Sequence, residues 1–334
     1  MSVNRDIQLG LCCKNTVLSA LKGKDKVNTR TFKLGSGYNI DYIQNLCREN
    51  VKDVIKMIEW NEANGIKVFR LSSDLFPHIA NPLHTQKYTL DCAKDLLKEA
   101  GDLAKKYNMR ITFHPCQCVV LASPNKDAYD KSVMDLDYHS SMLDYMGIGP
   151  NGVMVVHGGG LYGNKQETVE RWISNYNKLP LKIKKRLVLE NCEKCYSIED
   201  CLYISSQCGV PVVFDTHHFT CYNQLHPKEQ MKFKEEYYIP LILETWKNRL
   251  IKPKFHVSEQ GSGRTGHHSD YIETIPEFLL EIPNKYGVSI DIMIEAKMKE
   301  QAIFRLYQKY PYLNCKRNTN ENSNIDIECT ITIS

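Results

Sequence analysis

Eight short hydrophobic segments recur along the chain, and each is separated from the next by a stretch with helical spacing. The segments are nearly continuous runs of apolar residues, which is the pattern of parallel strands that are buried on both faces. Of the intervening stretches, 51–65 ends in Asn64-Gly65 and 89–108 opens on a threonine cap, as helices do. The strands are predicted at 7–13, 67–73, 109–115, 153–159, 186–191, 211–218, 253–259 and 291–297.

Eight strands that alternate with helices are the number that closes a parallel barrel. The sequence therefore predicts an α/β protein with a single (β/α)8 barrel, a TIM barrel, over residues 1–311. Residues 312–334 are polar and rich in Asn, so we expect them to form a short, partly disordered C-terminal extension.

Composition narrows the class of protein. Of the 334 residues, 42% are hydrophobic and 25% are charged, and no apolar run is long enough to cross a bilayer. Since no signal peptide opens the chain, we expect an intracellular protein, cytoplasmic or nuclear and not secreted. We also expect a monomer without a membrane partner. Its thirteen cysteines are scattered, and we expect reduced thiols. The net charge of +4 permits a nucleic-acid partner without requiring one.

The carboxyl ends of the predicted strands carry a concentration of polar side chains. In a parallel barrel these ends form one face, where catalytic groups lie, whereas mid-strand residues fill the core. At least six of the 11 histidines lie at or just beyond strand ends, beside three carboxylates in equivalent positions. The candidates are Asn15, His114, His157, Glu190, Asp215, His217, His218, His256, Glu259, His267, His268 and Glu295.

Imidazole and carboxylate groups together are the ligands of zinc, manganese and iron, and a shared carboxylate can bridge two ions. A single histidine in such a place is more often solvated or satisfied by a neighbour, but chance explains so many on one face poorly. Two or three close metals would clamp the attacking and leaving oxygens of a phosphodiester displacement. The residues alone therefore predict a multinuclear metal site at the mouth of the barrel.

Longer motifs, taken in order over roughly residues 7–308, resemble a known family. They are "RLSSDLFPH" (70–78), "HPCQCVVLASP" (114–124), "VVHGGGLYGNK" (155–165), "RLVLEN" (186–191), "VVFDTHHF" (212–219), "KFHVSEQ" (254–260), "GHHSDY" (266–271) and "MIEAKMKEQA" (293–302). The family is that of the ultraviolet damage endonucleases, which is similar to endonuclease IV. The resemblance implies a metal-dependent barrel that nicks damaged double-stranded DNA 5′ of ultraviolet photoproducts, and abasic or other lesions as further substrates. It also implies two or three divalent ions, manganese first, with zinc or magnesium as alternatives.

The same motif match implies individual roles. Glu190, Lys254 and Glu295 would be catalytic. The metal ligands would be His114, His157, Glu190, Asp215, His218, His256, His268 and Glu295.

The chain departs from the family where damage is recognised. Asn15 and Gln117 match family positions, but Cys118 and Leu11 stand where the family commonly has aromatic residues. Aromatic side chains there would stack against distorted bases or replace them, and each stacking contact is worth roughly 1 to 3 kcal/mol. We therefore expect a complete metal site beside a damage probe of these four residues that is altered at Cys118 and Leu11. The altered probe would discriminate damaged from intact DNA less well.

Three alternatives remain open from the sequence. The first is a metal-dependent sugar isomerase of the similar barrel superfamily, which would need a small closed pocket where a nuclease needs a basic groove. The second is a damage-binding protein without activity, although the full ligand set argues against it. The third is local: Cys116, Cys118, Cys192 and Cys195 follow two strands and would hold a structural zinc if their loops met.

Overall fold

The computed structural model describes residues 6–35, 37–81, 83–84 and 87–316. Its eight strands pair in sequence order, all parallel, and close into a barrel in which the first strand pairs with the last. The predicted (β/α)8 barrel is confirmed. The strands are β1 (Ile7–Cys12), β2 (Val68–Leu71), β3 (Arg110–Phe113), β4 (Met154–His157), β5 (Leu187–Glu190), β6 (Val212–Asp215), β7 (Lys254–Val257) and β8 (Ile290–Ile294).

Within the described residues, twelve α-helices surround or cap the barrel. They are α1 (Thr16–Ala20), α2 (Ile40–Ala63), α3 (Lys94–Lys106), α4 (Lys126–Tyr145), α5 (Lys165–Lys178), α6 (Leu181–Lys184), α7 (Ile198–Cys208), α8 (Thr216–Leu225), α9 (Glu235–Lys247), α10 (Glu277–Leu280), α11 (Ile282–Tyr286) and α12 (Glu300–Lys309). None of the helices in this part of the chain is long and apolar enough to cross a membrane.

Two predicted helices have different beginnings in the structure. The helix predicted over 51–65 starts eleven residues earlier at Ile40, because the Asn39 side chain accepts a hydrogen bond from the Tyr42 N–H and caps it there. The stretch from Thr89 opens as a short 3₁₀ turn before α3 begins at Lys94. Both segments still cover the barrel with their apolar faces.

The strand register places polar side chains beside one another at the carboxyl end of the barrel. His157 is opposite Glu190 across β4 and β5, and Asp215 is opposite His256 across β6 and β7. Because neighbouring parallel strands lie about 4.8 Å apart, the two side chains of each pair are close enough to bind one common ion without any loop rearrangement. The fold thus supplies the geometry of the site.

The predicted boundary between barrel and tail at residue 311 stays a prediction. Leu313 is fully buried in a short turn at Pro311–Leu313, so packing against the barrel continues just beyond it. Residues 317–334, most of the predicted tail, lie outside the described residues.

A buried ion pair closes the amino end of the barrel. The Arg110 guanidinium of β3 donates to the Asp291 carboxylate of β8 at 2.7 Å, and both residues are buried. The Lys252 ammonium lies 2.5 Å from the other carboxylate oxygen of Asp291. Two cations therefore depend on one buried anion, and removing that anion would leave charge without compensation.

We expect Asp291→Ala to lower the free energy of unfolding by roughly 3 to 5 kcal/mol, because it leaves the buried Arg110 charge without a counter-ion. The matched control Asp102→Ala removes a half-exposed carboxylate on α3 that pairs with Lys98, and it should cost less than about 1 kcal/mol. Urea unfolding followed by circular dichroism measures both. Equal losses of unfolding free energy in the two variants would show that the buried ion pair contributes no more to stability than a surface pair.

Candidate metal centre

The segment "VVFDTHHF" changes from strand to helix at Asp215. The carboxylate of Asp215 accepts a hydrogen bond from the His218 N–H at 2.8 Å and thereby caps α8. The strand predicted over 211–218 is therefore too long, because a capping carboxylate satisfies a free helical N–H and starts the helix at Thr216. His217 and His218 lie in the first helical turn and point in different directions.

A single buried carboxylate, that of Glu190 at the end of β5, lies at the centre of the site. One of its oxygens is 3.0 Å from His114 Nε2 and 3.2 Å from His157 Nε2. The other oxygen is 2.8 Å from His256 Nδ1 and 3.5 Å from His218 Nδ1. Four imidazoles from four different elements thus converge on one fully buried anion.

Electrostatics keep this carboxylate ionised. Burial alone would raise the pKa of Glu190, but the His256 and His157 imidazoles outweigh it and hold the pKa well below its usual value. Burial lowers the pKa of His114 to about 4, so this ring is neutral near pH 7 and offers a lone pair. Burial also acts on His218, but Asp215 and Glu190 outweigh it and raise its pKa to about 9.

Three groups of side chains bring ligand atoms within 4.8 Å of one another. They are His114 with His157 and Glu190, Glu190 with Asp215 and His218, and Asp215 with His256 and Glu295. Glu190 and Asp215 are shared between groups, as bridging carboxylates are. His256 Nε2 and one oxygen of Asp215 are buried without a hydrogen-bond partner, which is costly unless another group satisfies them. Nitrogen and oxygen donors of this kind fit a divalent transition metal.

His268, the eighth predicted ligand, lies at the edge of the cluster and belongs to none of these groups. Its Nε2 is 3.9 Å from a Glu295 oxygen, and 30% of its side chain is exposed. His217 lies beside it, with the two ring centres 6.2 Å apart, and its Nε2 contacts the Cys221 sulfur at 3.4 Å. His217 therefore faces away from Glu190, while His218 faces towards it.

Arg70 on β2 is a site residue that the strand-end analysis missed. Its guanidinium is ion-paired with Glu295, and Arg70 and the His256 imidazole outweigh the effect of burial to hold the pKa of Glu295 below its usual value. An arginine inside a four-residue strand of otherwise apolar residues was the available signal, since a cation in a barrel interior needs a buried anion. Arg70 fixes one carboxylate of the cluster.

Lys254 lies one layer deeper than His256 on the same strand. It is completely buried, and its ammonium nitrogen donates to the Thr112 hydroxyl at 2.9 Å. Among the described residues it forms no ion pair with a carboxylate. Burial, followed by the nearby Arg70 and Arg110 charges, lowers the pKa of Lys254 to about 7.

The four residues predicted to contact the lesion have different surroundings. Gln117 and Cys118 are exposed in the loop after β3, whereas Leu11 is fully buried within β1. Asn15 is also buried, and its side-chain oxygen accepts from the Leu18 N–H to cap α1. An exposed loop can reach a base, and the roles of Leu11 and Asn15 stay predictions.

The prediction of reduced thiols is wrong for one pair. Cys116 and Cys118 form a disulfide across Gln117, while the ten other cysteines of the described chain are free. The four-thiol zinc site is also wrong, because two of its thiols are bonded to each other. The loops do meet, since Cys116, Cys192 and Cys195 line one cavity of about 210 Å³ beside His114 and His157.

Comparison with known proteins decides the family. Residues 7–328 match the sequence model of UV-endonuclease UvdE. The chain belongs to the UvdE family. The UV DNA damage endonuclease of Bacillus cereus (strain B4264) is 34% identical over 278 residues, which cover 82% of this chain and 84% of that protein. The crystal structure of SacUVDE matches with a TM-score of 0.78 and 30% identity over 92% of this chain and 100% of that one. The resemblance found in the sequence is confirmed, and this UvdE-family chain is an endonuclease of DNA repair.

The barrel itself is common to other chemistries. Endonuclease IV from Thermus thermophilus matches with a TM-score of 0.52 and 16% identity, over 78% of this chain and 94% of that one. D-psicose 3-epimerase from Clostridium cellulolyticum matches with a TM-score of 0.53 and 12% identity, over 92% of this chain and 100% of that one. These likenesses concern the fold alone, so family membership, and not the barrel, decides for a nuclease over a sugar isomerase.

We expect reconstitution with manganese to load more than one ion per chain, because Glu190 and Asp215 are shared between donor groups. His218→Ala should lower the metal content, whereas the neighbouring control His217→Ala should leave it nearly unchanged. Elemental analysis after desalting measures both. At most one ion in the parent, or a larger loss in His217→Ala, would contradict the arrangement.

The depressed pKa of Lys254 predicts a pH dependence of stability. Because the unfolded chain binds this proton more tightly, the Lys254 contribution to the free energy of unfolding is lowest below pH 7 and rises towards its ordinary pKa of 10.5. Lys254→Met should be the more stable protein at pH 7 in chelator, and its advantage over the parent should shrink as the pH rises to 10. Urea unfolding across this range, with exposed Lys247→Met as control, tests the sign. An advantage that grows with pH would contradict it.

Proposed function

We propose that this protein is a divalent-metal-dependent endonuclease that nicks damaged duplex DNA on the 5′ side of ultraviolet photoproducts, with manganese as its preferred metal. The observation that supports it best is the Glu190 cluster, a buried carboxylate shared between donor groups at the mouth of a UvdE-family barrel. We further propose that abasic sites are cut comparatively well, because these sites are already unstacked.

The side chains of the site would have different roles. The three donor groups around Glu190, Asp215 and Glu295 would hold the ions, with His268 as a further ligand at the rim. Bound divalent ions supply charge that stabilises the attacking and leaving oxygens of a phosphodiester. Glu190 and Glu295 would be catalytic carboxylates as well as ligands. Arg70 orients the Glu295 carboxylate. The buried Lys254 places an amine beneath the cluster, where it adjusts the local charge.

Another cavity lies beside the Gln117 loop. Its volume is about 630 Å³, within the range of small-molecule sites, and its lining includes Phe76, Tyr138, Lys131 and the Cys116 and Cys118 disulfide. The Phe76 and Tyr138 rings are almost completely buried in its wall, and the exposed Lys131 shares the lining with the Asp74, Asp127 and Asp135 carboxylates. We propose that the loop holds the duplex open with Gln117 while the damaged nucleotide leaves the stack.

The loss of aromatic residues at the probe supports weaker discrimination between damaged and intact duplex. The substitution Leu11→Tyr would overpack a fully buried position, so its effect would not report on stacking against a base. Cys118→Tyr is the cleaner change because its position is exposed, although it also breaks the disulfide. Cys116→Ser breaks the same disulfide without adding a ring and serves as the matched control.

The function is tested with three labelled duplexes: intact, ultraviolet-irradiated and abasic. Each is incubated with the protein in manganese and in chelator, and the products are mapped on sequencing gels. The proposal expects cuts 5′ of photoproducts in manganese only. Cutting that survives chelator, or cutting at random positions in the intact duplex alone, would overturn it.

Glu190→Gln should lower nicking of the irradiated duplex at least about 100-fold, because it removes the shared anion that organises the ligands. Glu244→Gln, which changes an exposed carboxylate on the outer helix α9, is the matched control and should keep the parent rate. Gel assays measure nicking, and circular dichroism checks that both variants fold. Near-normal nicking by a folded Glu190→Gln would contradict the assigned centre.

A further inference from the structure

The net positive charge of the whole chain resides in one connection of the barrel. Residues 14–38, which link β1 to α2, contain six of the 43 basic residues and one of the 39 acidic residues. The remaining 309 residues contain 37 basic and 38 acidic residues, so they are close to neutral. We call residues 14–38 the basic arm.

The arm lies at the metal end of the barrel. It follows the carboxyl end of β1, where the Cys13 N–H donates to the Arg70 carbonyl at 2.8 Å. Arg70 in turn pairs with Glu295 of the donor cluster. The N–H groups of Thr16 and Val17 both donate at 2.9 Å to the buried Glu300 carboxylate, which lies five residues beyond Glu295. The first turn of the arm is thus tied to the same end of the barrel as the donor cluster.

Buried polar groups also hold the backbone further along the arm. The Asn28 N–H donates to Asp53 at 3.0 Å, and the Arg30 N–H donates to Asn50 at 2.8 Å. The Arg30 guanidinium pairs with the same Asp53 carboxylate, so its charge is largely compensated. A backbone anchored in this way is already ordered before binding, so binding orders mainly the exposed side chains of the arm.

The lysines of the arm point outward. Lys14, Lys22, Lys24, Lys26 and Lys33 are all exposed. The first four form no ion pair with any residue that the structure describes, unlike Lys56, which contacts the Lys24 carbonyl and pairs with Asp53. Unpaired ammonium groups on a held backbone are suited to a dense row of anions, and duplex DNA carries one negative charge per roughly 1.7 Å of axis.

An aromatic pair marks the far end of the arm. The rings of Tyr38 and Tyr42 are stacked with centres 4.2 Å apart, and they are 41% and 45% exposed. Both lie at the beginning of α2, which follows the carboxyl end of β1 and so faces the same end of the barrel. Exposed rings on the same connection as the lysines add a surface that suits sugars and base edges.

We propose that the basic arm is a second DNA-contact surface, which holds the sugar–phosphate backbone of the duplex outside the metal centre and independently of damage. The lysines contact phosphates, and the Tyr38–Tyr42 pair packs against the sugars and exposed base edges. The proposal rests on DNA as the substrate of the metal centre. It adds that affinity and chemistry are carried by separate parts of the chain.

The test compares Lys22→Gln/Lys24→Gln/Lys26→Gln with a control of equal charge change, Lys178→Gln/Lys184→Gln/Lys185→Gln. The control lysines precede β5 and lie at the opposite end of the barrel. Binding of a fluorescein-labelled intact duplex is measured by anisotropy in chelator between 50 and 300 mM salt, about the range over which phosphate contacts are lost. Metal content and nicking of irradiated DNA at saturation are measured separately.

The arm variant should lose about 0.9 in the slope of log affinity against log salt for each phosphate contact removed, roughly 2 to 3 in total. At 0.1 M salt its Kd should rise about 10- to 100-fold, while kcat at saturating DNA stays within about twofold of the parent. Tyr42→Ala should weaken binding several-fold with an unchanged salt slope. The proposal would be overturned if the salt slope of the arm variant equalled that of the parent, or if the control variant lost as much affinity as the arm variant.

The outcomes separate this proposal from the proposed function. Normal damage-specific nicking with an unchanged salt slope would refute the arm and leave the nuclease in place. Arm-dependent binding without any metal-dependent nicking would support the arm and refute the proposed chemistry. Loss of kcat at saturating DNA in the arm variant would show that the arm belongs to the catalytic machinery, which also contradicts the proposal.

Discussion

The arrangement at the barrel mouth depends on the fully buried carboxylate of Glu190. Such an anion is tolerated in a protein interior only where cations or strong donors surround it. Here four imidazoles, from β4, β7, α8 and the loop directly after β3, lie within 3.5 Å of its two oxygens. A divalent ion satisfies several such donors at once. The donor cluster around Glu190 therefore fits a metal site.

Barrel closure makes this cluster possible. The register sets His157 beside Glu190 and Asp215 beside His256, so the relative heights of four donors follow from backbone pairing. The buried Arg110–Asp291 pair stabilises the other end, where no donors converge among the described residues. Lys254 lies between the two ends with a depressed pKa. Charge is thus distributed in layers along the barrel axis, and the donor cluster occupies the layer that opens towards the loops.

Much of this could be predicted from the sequence because strand ends in a parallel barrel share one face. The alternation of apolar segments predicted the fold, and the polar residues at the segment ends are the ones that make up the three donor groups. Arg70 could not be predicted as a site residue because it lies inside a strand, where side chains normally fill the core. The start of α8 was misplaced since the capping role of Asp215 depends on an N–H three residues later. The disulfide of Cys116 and Cys118 depends on loop geometry that residue spacing does not specify.

The central claim is that Glu190 is the shared ligand of a multinuclear centre. Anomalous diffraction at the manganese edge, from crystals grown with manganese, tests this most directly. The account predicts at least two anomalous peaks within coordination distance of Glu190 and Asp215, one of them between His114 and His157. A single peak remote from Glu190, or peaks only at surface carboxylates, would contradict it.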